Sequence, residues 1–301
     1  MRPGAGRDLA PGAAAAFAFG CTILFNRYVA RDGLPSSVAL GVRFGVAGLL
    51  LLGVLAALRR PLLPPRGERV AALVVGFVIY SIESTLFYMG LQRGTAAAVA
   101  LIFYAYPAVV AVAEVALGVT RWRARTALAL GLAISGSAVV AVGGGHVVIS
   151  AAGVACVCGS IATFATYVLV SDRVLVQTDA LTVAVWTALG ASVGTTAIGV
   201  AAGNLRAPST AGATAALFGN GVATAAAFTL FFVALGRMGA TRTAIVMALE
   251  AVFGVVLTAV FLGESVKPVV ALGGGVVLAG AVFAALAAPV SVEAQESATP
   301  P

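Results

Sequence analysis

Ten runs of about twenty apolar residues fill almost the whole of this 301-residue chain. A bilayer core about 30 Å thick is crossed by roughly 20 residues of helix, so each run is long enough to span a membrane. The runs are residues 12–30, 37–58, 70–91, 95–118, 124–143, 148–170, 179–202, 212–235, 240–262 and 268–288. Only short connections separate them, and the longest, residues 59–69, contains three helix-ending prolines. The pattern predicts an all-α integral membrane protein with ten transmembrane helices.

Composition agrees with a lipid environment. The chain is 61% hydrophobic and only 10% charged, whereas soluble domains carry about 25% charged residues. The formal charge of +7 does not indicate a nucleic-acid partner, because the basic residues lie in short clusters between apolar runs. We therefore expect a lipid bilayer around the protein and no nucleic acid bound to it.

The basic residues also predict an orientation. Cytoplasmic connections are enriched in Lys and Arg, and twelve of the 18 basic residues fall on the side of the membrane that holds both chain ends. These twelve are Arg2, Arg7, Arg59, Arg60, Arg66, Arg69, Arg121, Arg123, Arg125, Arg173, Arg237 and Arg242. The sequence therefore predicts a multi-pass protein of the inner (cell) membrane with both termini in the cytoplasm.

The third and eighth runs end in similar segments. Residues 85–93 read TLFYMGLQR and residues 229–237 read TLFFVALGR, identical at five of nine positions and 144 residues apart. The same offset relates two pairs of glycines in the fifth and tenth runs, Gly131 with Gly275 and Gly136 with Gly280. Shared order and spacing indicate an internal duplication.

The duplication divides the chain into two five-helix repeats, residues 12–143 and 148–288, with disordered tails at 1–11 and 289–301. Because five is odd, the second repeat enters the membrane in the opposite orientation to the first. Inverted repeats of this kind are common in secondary transporters that work by alternating access.

The residues needed for several kinds of enzyme chemistry are scarce. Lys267 is the only lysine and does not follow a glycine-rich phosphate loop, and His146 is the only histidine. We therefore expect no enzymatic activity, no bound metal and no cofactor.

Several positions carry a resemblance to a known family. They are Gly20, Asn26, Pro35, Arg43-Phe44, Gly90-Leu91, Pro107, Gly131 and Gly136 in the first half, and Glu250-Ala251 and Leu262-Gly263-Glu264 in the second. With them the chain resembles the EamA-type branch of the drug/metabolite transporter superfamily over about residues 12–288. It departs where Ala251 replaces the family's usual proline and where the first half has Gly118-Val119-Thr120 in place of the acidic residue that follows the fourth helix. The resemblance implies a secondary carrier that often exports amino acids, their derivatives or other small metabolites.

Ionisable residues inside a bilayer are costly and usually face a cavity or each other. At about 1.5 Å per residue, Arg43 lies about 9 Å and Glu83 about 12 Å below the outer surface. We predict that these two residues either form an ion pair or line the outer half of the transport pathway. A purely structural ion pair is the alternative. Glu114 lies nearer the cytoplasmic end of its helix and is expected to reach toward Arg121 or Arg125.

Glu250 lies close to the membrane midplane, and Tyr106 is its counterpart in the first half at the 144-residue offset. Tyr80 and Tyr104 lie at similar depth, and Phe87 shares a face of the third helix with Tyr80 by helical spacing. These residues predict a midplane pocket in which a carboxylate holds a substrate ammonium or exchanges a proton. Aromatic packing around one buried glutamate is the alternative.

Two asparagines complete the candidate site. Asn26 and Asn220 lie within apolar helices, where they either contact substrate or hydrogen-bond across helices. Together the candidate residues predict a secondary transporter of small metabolites. The rival hypotheses are a passive channel or facilitator and a lipid-handling membrane protein.

Overall fold

A computed structural model describes residues 5–144, 148–203, 205–263 and 266–286, which form a bundle of ten helical segments. The segments are α1 (Ala5–Arg31), α2 (Ser36–Ala57), α3 (Arg69–Leu73, π-helical Val74–Tyr80 and Ser81–Leu91), α4 (Ala96–Phe103 and Tyr106–Ala116), α5 (Ala124–Gly144), α6 (Ala151–Val174), α7 (Ala180–Ala201), α8 (Ala211–Met238), α9 (Ala240–Met247 and Leu249–Leu262) and α10 (Pro268–Leu286). Nine stretches of these described residues, in α1 to α9, are long and apolar enough to cross a membrane. The apolar stretch of α10, Pro268–Ala284, is shorter. The predicted all-α membrane fold is confirmed, while the predicted tenth span corresponds to this shorter helix.

The first helix begins earlier than predicted. Residues 5–11, expected to belong to a disordered tail, form the first two turns of α1, with Pro11 inside the helix. Pro11 has no N–H to donate to the carbonyl of Arg7, so one backbone hydrogen bond is missing near the start of this helix. Residues 1–4 and 289–301 of the predicted tails lie outside the described residues.

Several helices begin where a polar residue follows a connection. Such a side chain accepts a hydrogen bond from a free N–H of the first turn and so fixes the helix start. Four side chains do this, with donors in parentheses: Thr95 (Ala98), Ser150 (Gly153), Asp179 (Leu181 and Thr182) and Thr210 (Ala213). These caps set where α4, α6, α7 and α8 enter the membrane.

Glu68 ties two connections together at one end of the bundle, which we call the Glu68 end. Its carboxylate accepts hydrogen bonds from the N–H of Gln177 (2.8 Å), the N–H of Thr178 (2.9 Å) and the Thr178 hydroxyl. Burial alone would raise the pKa of Glu68, but these hydrogen bonds outweigh burial and lower the pKa. The starts of α3 and α7 are thereby held side by side.

A second carboxylate acts at the Glu68 end. Glu114, in the last turns of α4, accepts hydrogen bonds from the N–H (3.2 Å) and the hydroxyl of Thr241, at the start of α9. The predicted contact with Arg121 or Arg125 is therefore wrong. Glu114 is buried whereas both arginines are exposed, and the free N–H groups of the first turn of α9 offer a nearer donor.

The opposite end of the bundle is fastened by Asp32, and we call it the Asp32 end. Asp32, after α1, accepts hydrogen bonds from the N–H (2.9 Å) and hydroxyl (2.6 Å) of Ser209, which precedes α8. At the same end, Thr95 donates its N–H to the carbonyl of Val148 at 2.8 Å, and this bond joins the α3–α4 connection to the α5–α6 connection. The helices therefore alternate in direction between the two ends.

The helices α2 and α7 pack closely and antiparallel. A Cβ atom added to Gly41 would lie 2.5 Å from the Oγ1 atom of Thr196, and one added to Gly48 would lie 2.6 Å from a methyl of Leu189. The contact thus moves backward along α7 as it moves forward along α2. Small residues permit this approach, because the glycines of α2 contribute no side chain of their own to the contact.

The helices α5 and α10 pack in the same way. A Cβ atom added to Gly136 would lie 2.6 Å from the backbone N of Val277, and one added to Gly280 would lie 2.8 Å from the backbone N of Ala133. The helices are again antiparallel, and the residues 133 and 136 of one meet the residues 277 and 280 of the other, at the 144-residue offset of the sequence repeat.

The other contacts follow a matching scheme. The helix α1 packs on α8 and α9, and α6 packs on α3 and α4. Both α4 and α9 are interrupted near their centres, at Tyr104–Ala105 and at Ala248. The two breaks lie close together, since the Tyr106 hydroxyl donates a hydrogen bond to the carbonyl of Ala244 at 3.0 Å. Side chains that lie between the interrupted centres of α4 and α9 therefore occupy the middle of the bundle.

Candidate functional site

An aromatic cluster fills the centre of the bundle. Tyr80 lies in the middle of it, with its ring centroid 4.9 Å from that of Tyr167, 5.1 Å from that of Phe228 and 5.5 Å from that of Phe44. All four side chains are buried. Tilted and edge-to-face rings at these distances attract one another and form a rigid wall.

Glu83 lies one turn beyond Tyr80 and is buried. One carboxylate oxygen accepts a hydrogen bond from Ser84 (3.1 Å) and the other from Ser160 of α6 (2.9 Å). Hydroxyl donors satisfy both oxygens, so the carboxylate is tolerated at this depth without a cation in contact.

Arg43 is buried in α2 and is oriented toward α8. Its Nε donates a hydrogen bond to the Thr224 hydroxyl at 2.7 Å, and its guanidinium carbon lies 5.0 Å from the centre of the Phe44 ring. Within the described residues Arg43 and Glu83 form no ion pair, so the pairing that depth alone suggested is wrong. Depth fixes height in the membrane but not direction around the helix axis, and each group found hydroxyl partners on another helix.

Asn26 and Asn220 contact each other. The Nδ2 atom of Asn220 donates to the Oδ1 atom of Asn26 at 2.7 Å, which joins α1 to α8. The Thr224 hydroxyl donates to the Asn220 carbonyl at 2.7 Å and receives the Arg43 bond described above. The cross-helix hydrogen bond expected as one alternative is present, and a polar chain runs along α8 from Asn26 to Arg43.

Glu250 differs from these residues because its carboxylate has no hydrogen-bond partner among the described residues. It is half-buried, and in the described part of the chain no group donates a hydrogen bond to it. Tyr104, Tyr106 and Arg43 lie within electrostatic range. Glu250 stands in the first turn after the break in α9, where the positive end of a helix dipole favours a negative charge.

A second group of rings surrounds the break in α4. The ring of Phe103 lies 4.9 Å from that of Phe87 and 5.3 Å from that of Tyr106, and Tyr106 lies 4.8 Å from Phe164. Phe87 therefore packs against Phe103, and Tyr106 is held both by its ring neighbours and by the hydrogen bond to Ala244.

The structure adds residues that the sequence did not single out. Ser160 and Thr224 bind the two central charges, and Tyr167 contacts Tyr80. The sequence signal for Ser160 and Thr224 is a hydroxyl inside an apolar run, and this signal is weak in a chain with many serines and threonines. The π-helical turn at Val74–Tyr80, which precedes Glu83, has no sequence signal, although such turns occur frequently at functional sites.

In the described ranges, no three His, Cys, Asp or Glu side chains cluster in a way that could hold a metal ion. The candidate site in this part of the chain therefore consists of the charged and aromatic side chains described above.

The sequence matches the model of the EamA-like transporter family over residues 10–142 and again over residues 151–286. The chain belongs to the EamA-like transporter family. A solved structure named "Crystal structure of protein" has the same fold, with a TM-score of 0.80 and 14% identity over 93% of this chain and 98% of that one. The curated proteins gave no match.

Membership makes this protein a multi-pass membrane transporter built from two EamA repeats. The two matched segments correspond to α1–α5 and α6–α10. In this EamA-like transporter α9 is interrupted at Ala248 although Ala251 stands where the family usually has a proline, so the break does not depend on that residue. The resemblance inferred from sequence is confirmed.

Proposed function

We propose that this protein is a secondary carrier that exports small polar or amphipathic metabolites, amino acids or related compounds, by alternating access. The observation that carries the proposal is Glu250, an unpartnered carboxylate beside the broken centres of α4 and α9. Broken helices at the membrane midplane supply ligand sites in many carriers.

The proposed architecture is ten transmembrane helices in two inverted repeats. Corresponding helices of the two halves run antiparallel where they meet, both in the pair α2–α7 and in the pair α5–α10. The breaks at Tyr104 and Ala248 also lie 144 residues apart. This arrangement supports an exchange of conformations between the halves, with the central site open to each side in turn.

In the proposed site Glu250 binds the ammonium group of the substrate, while the rings of Tyr104, Tyr106 and Tyr80 contact its apolar part. Aromatic faces also attract a cation directly. Arg43 supplies a positive charge for an anionic group of the same molecule. A substrate with both charges and an apolar body fits these partners.

Charge balance suggests what the substrate exchanges with. Glu83 and Glu250 carry two negative charges if both are ionised, and Arg43 supplies one positive charge within electrostatic range of both. One negative charge then remains, to be balanced by a substrate cation or by a proton. Because the two cannot occupy the carboxylate together, we propose proton antiport.

We further propose that the Glu68 end faces the cytoplasm and that the protein lies in the inner (cell) membrane with both termini inside. Most basic residues flank the Glu68 end, among them Arg60, Arg69 and Arg121. Export then moves substrate from the Glu68 end to the Asp32 end.

The test is metabolite profiling of cells and medium for the wild type, Glu250→Gln, Glu250→Asp and a vector control. We expect one class of compound to move out of the cells with the wild type, to stop moving with Glu250→Gln, and to move partly with Glu250→Asp, which keeps the charge. No difference between the wild type and the vector control, with membrane insertion confirmed, would contradict metabolite export. Flux that rises linearly without saturation would favour a passive facilitator.

Proton coupling has its own test. We expect uptake into inside-out vesicles to follow an imposed pH gradient in the wild type and to lose that dependence in Glu250→Gln or Glu83→Gln. If both variants kept the wild-type dependence on the gradient, antiport through these carboxylates would be wrong.

Lipid handling is a second candidate, favoured by an apolar groove on the outside of the bundle between α3 and α7. The groove has a volume of about 390 Å³ and is lined by Leu73, Val74, Phe77, Val78, Trp186, Leu189, Gly190 and Val193. An acyl chain would fit this surface. A change in membrane lipid composition, with no change in soluble metabolites, would favour this second function.

A further inference from the structure

One face of α6 leads from Glu83 toward the Glu68 end. Ser160, Phe164, Tyr167 and Ser171 follow one another at spacings of four, three and four residues, so they share a face of the helix. Ser160 donates its hydroxyl to Glu83 at 2.9 Å. Ser171 lies within the last turn of α6. At 1.5 Å per residue, this face covers roughly 16 Å of the bundle.

Two hydroxyls on this face are buried without a hydrogen-bond partner. Tyr167 is 1% exposed and Ser171 is 4% exposed, and neither hydroxyl bonds to any group in the described chain. Buried polar groups in proteins are nearly always paired, and unpaired ones call for an explanation such as water or a ligand. Polar side chains within a membrane usually face the interior of the helix bundle or a water-filled cavity. We expect both hydroxyls to be solvated in another conformation.

Aromatic rings fill the space along this face. The ring of Tyr167 lies 5.8 Å from that of Phe231 and 6.0 Å from that of Phe232, which are both on α8. It also lies 4.9 Å from Tyr80, next to the central carboxylates. Phe231 and Phe232 are both buried. These buried rings therefore pack against one another between α6 and α8.

We propose that this face of α6 lines the half of the transport pathway at the Glu68 end, and that Tyr167, Phe231 and Phe232 form its barrier, closed in this structure. The proposal rests on the carrier function proposed above and assigns one half of its pathway. When the barrier opens, the Tyr167 and Ser171 hydroxyls gain water or substrate as partners.

The test measures the reaction of single cysteines with a membrane-impermeant maleimide, applied to each side of the membrane separately. Cys21, Cys156 and Cys158 are first replaced by Ala, and Ser171→Cys or Ser137→Cys is then introduced. Ser137 is the matched control, because it is also fully buried with an unpaired hydroxyl but lies on α5 beside the α10 contact. We expect Ser171→Cys to react at least tenfold faster than Ser137→Cys, and only from the Glu68 end.

The barrier is tested at Ser160→Cys, on its far side. We expect Phe231→Ala to raise the labelling rate at Ser160→Cys from the Glu68 end at least tenfold, with no change at Ser137→Cys. If the alanine variant does not fold, Phe231→Leu replaces it in the test. Because leucine keeps most of the apolar volume, we expect a smaller increase in the labelling rate.

Two results would overturn the proposal. One is a reaction at Ser171→Cys as slow as that at Ser137→Cys, and the other is no change at Ser160→Cys in any folded Phe231 variant. Labelling requires no substrate. If the labelling is as expected but the protein exports no metabolite, the proposed pathway therefore stands and only the proposed export function is contradicted.

Discussion

Replacing Gly136 with Ala should weaken the contact between α5 and α10. The added Cβ atom would lie 2.6 Å from the backbone N of Val277 and 2.8 Å from the carbonyl oxygen of Gly273, whereas ordinary contact begins at 3.4 Å. The two backbones would have to separate by about 0.8 Å at this point, and overpacking of this kind costs about 1–3 kcal/mol. Neither obstacle is a flexible side chain that could turn away.

The chain provides matched controls for this change. Gly131, one and a half turns earlier in α5, has no atom within 4 Å of the added Cβ, and neither has Gly275, its counterpart in α10. Alanine at either site should be neutral or stabilise the helix by up to about 1 kcal/mol, because alanine is the better helix former. Gly280→Ala should behave like Gly136→Ala, since its Cβ would meet the backbone N of Ala133 at 2.8 Å.

The measurement is the free energy of unfolding in mixed micelles of increasing SDS content, followed by far-ultraviolet circular dichroism. We expect Gly136→Ala and Gly280→Ala to be less stable than Gly131→Ala and Gly275→Ala by about 1–4 kcal/mol. Equal stability of the four variants would refute the close backbone contact between these helices.

Further predictions concern the side chains that fasten the bundle. Glu68→Ala should lower the free energy of unfolding by about 1–3 kcal/mol at neutral pH, because it leaves the N–H groups of Thr178 and its neighbour unpaired; Arg60→Gln, which removes an exposed ion pair, should cost less than about 0.5 kcal/mol. In the wild type the pKa of Glu68 is lower in the folded than in the unfolded state. Its contribution to the free energy of unfolding is therefore complete above the ordinary pKa of 4.5 and disappears as the pH falls through the folded pKa. A denaturation series from pH 7 to pH 3 should show this loss in the wild type and not in Glu68→Ala. Thr224→Val should cost about 1–2 kcal/mol in the same assay, because the buried Arg43 Nε loses its acceptor, and a cost near zero would mean that water takes over this role.

The all-α membrane fold follows from the sequence because it depends on length and composition alone. A run of twenty apolar residues must be helical in a bilayer, since no water is present to pair its backbone groups. The break in α4 was partly foreseeable, because Pro107 cannot donate to the carbonyl of Phe103, and the helix is interrupted just before it. The break at Ala248 carries no comparable signal.

Counting residues along the helices predicts that Glu250, Tyr104 and Tyr106 lie at a similar depth, and the structure brings the three within electrostatic range of one another. Arg43 and Glu83 were also placed at similar depth, yet each is bound to a hydroxyl on a different helix. Rotation about a helix axis depends on the packing of all neighbours, and the π-helical turn before Glu83 changes that rotation further.

The fastening of α2 to α7 limits how this protein can move. The two helices are in close contact along their length. At the Glu68 end they are joined by the hydrogen bonds of Glu68 and by Trp186, whose indole N–H donates to the Leu62 carbonyl at 3.0 Å. At the opposite end they are joined through the hydrogen bonds of Asp32. A helix pair that is fastened at both ends cannot tilt independently of its neighbours. We infer that α2 and α7, one helix from each half, stay fixed relative to each other, and that bending occurs in α4 and α9, which are already interrupted near their centres. We therefore expect the distance between α2 and α7 to stay constant through the transport cycle, while α4 and α9 bend.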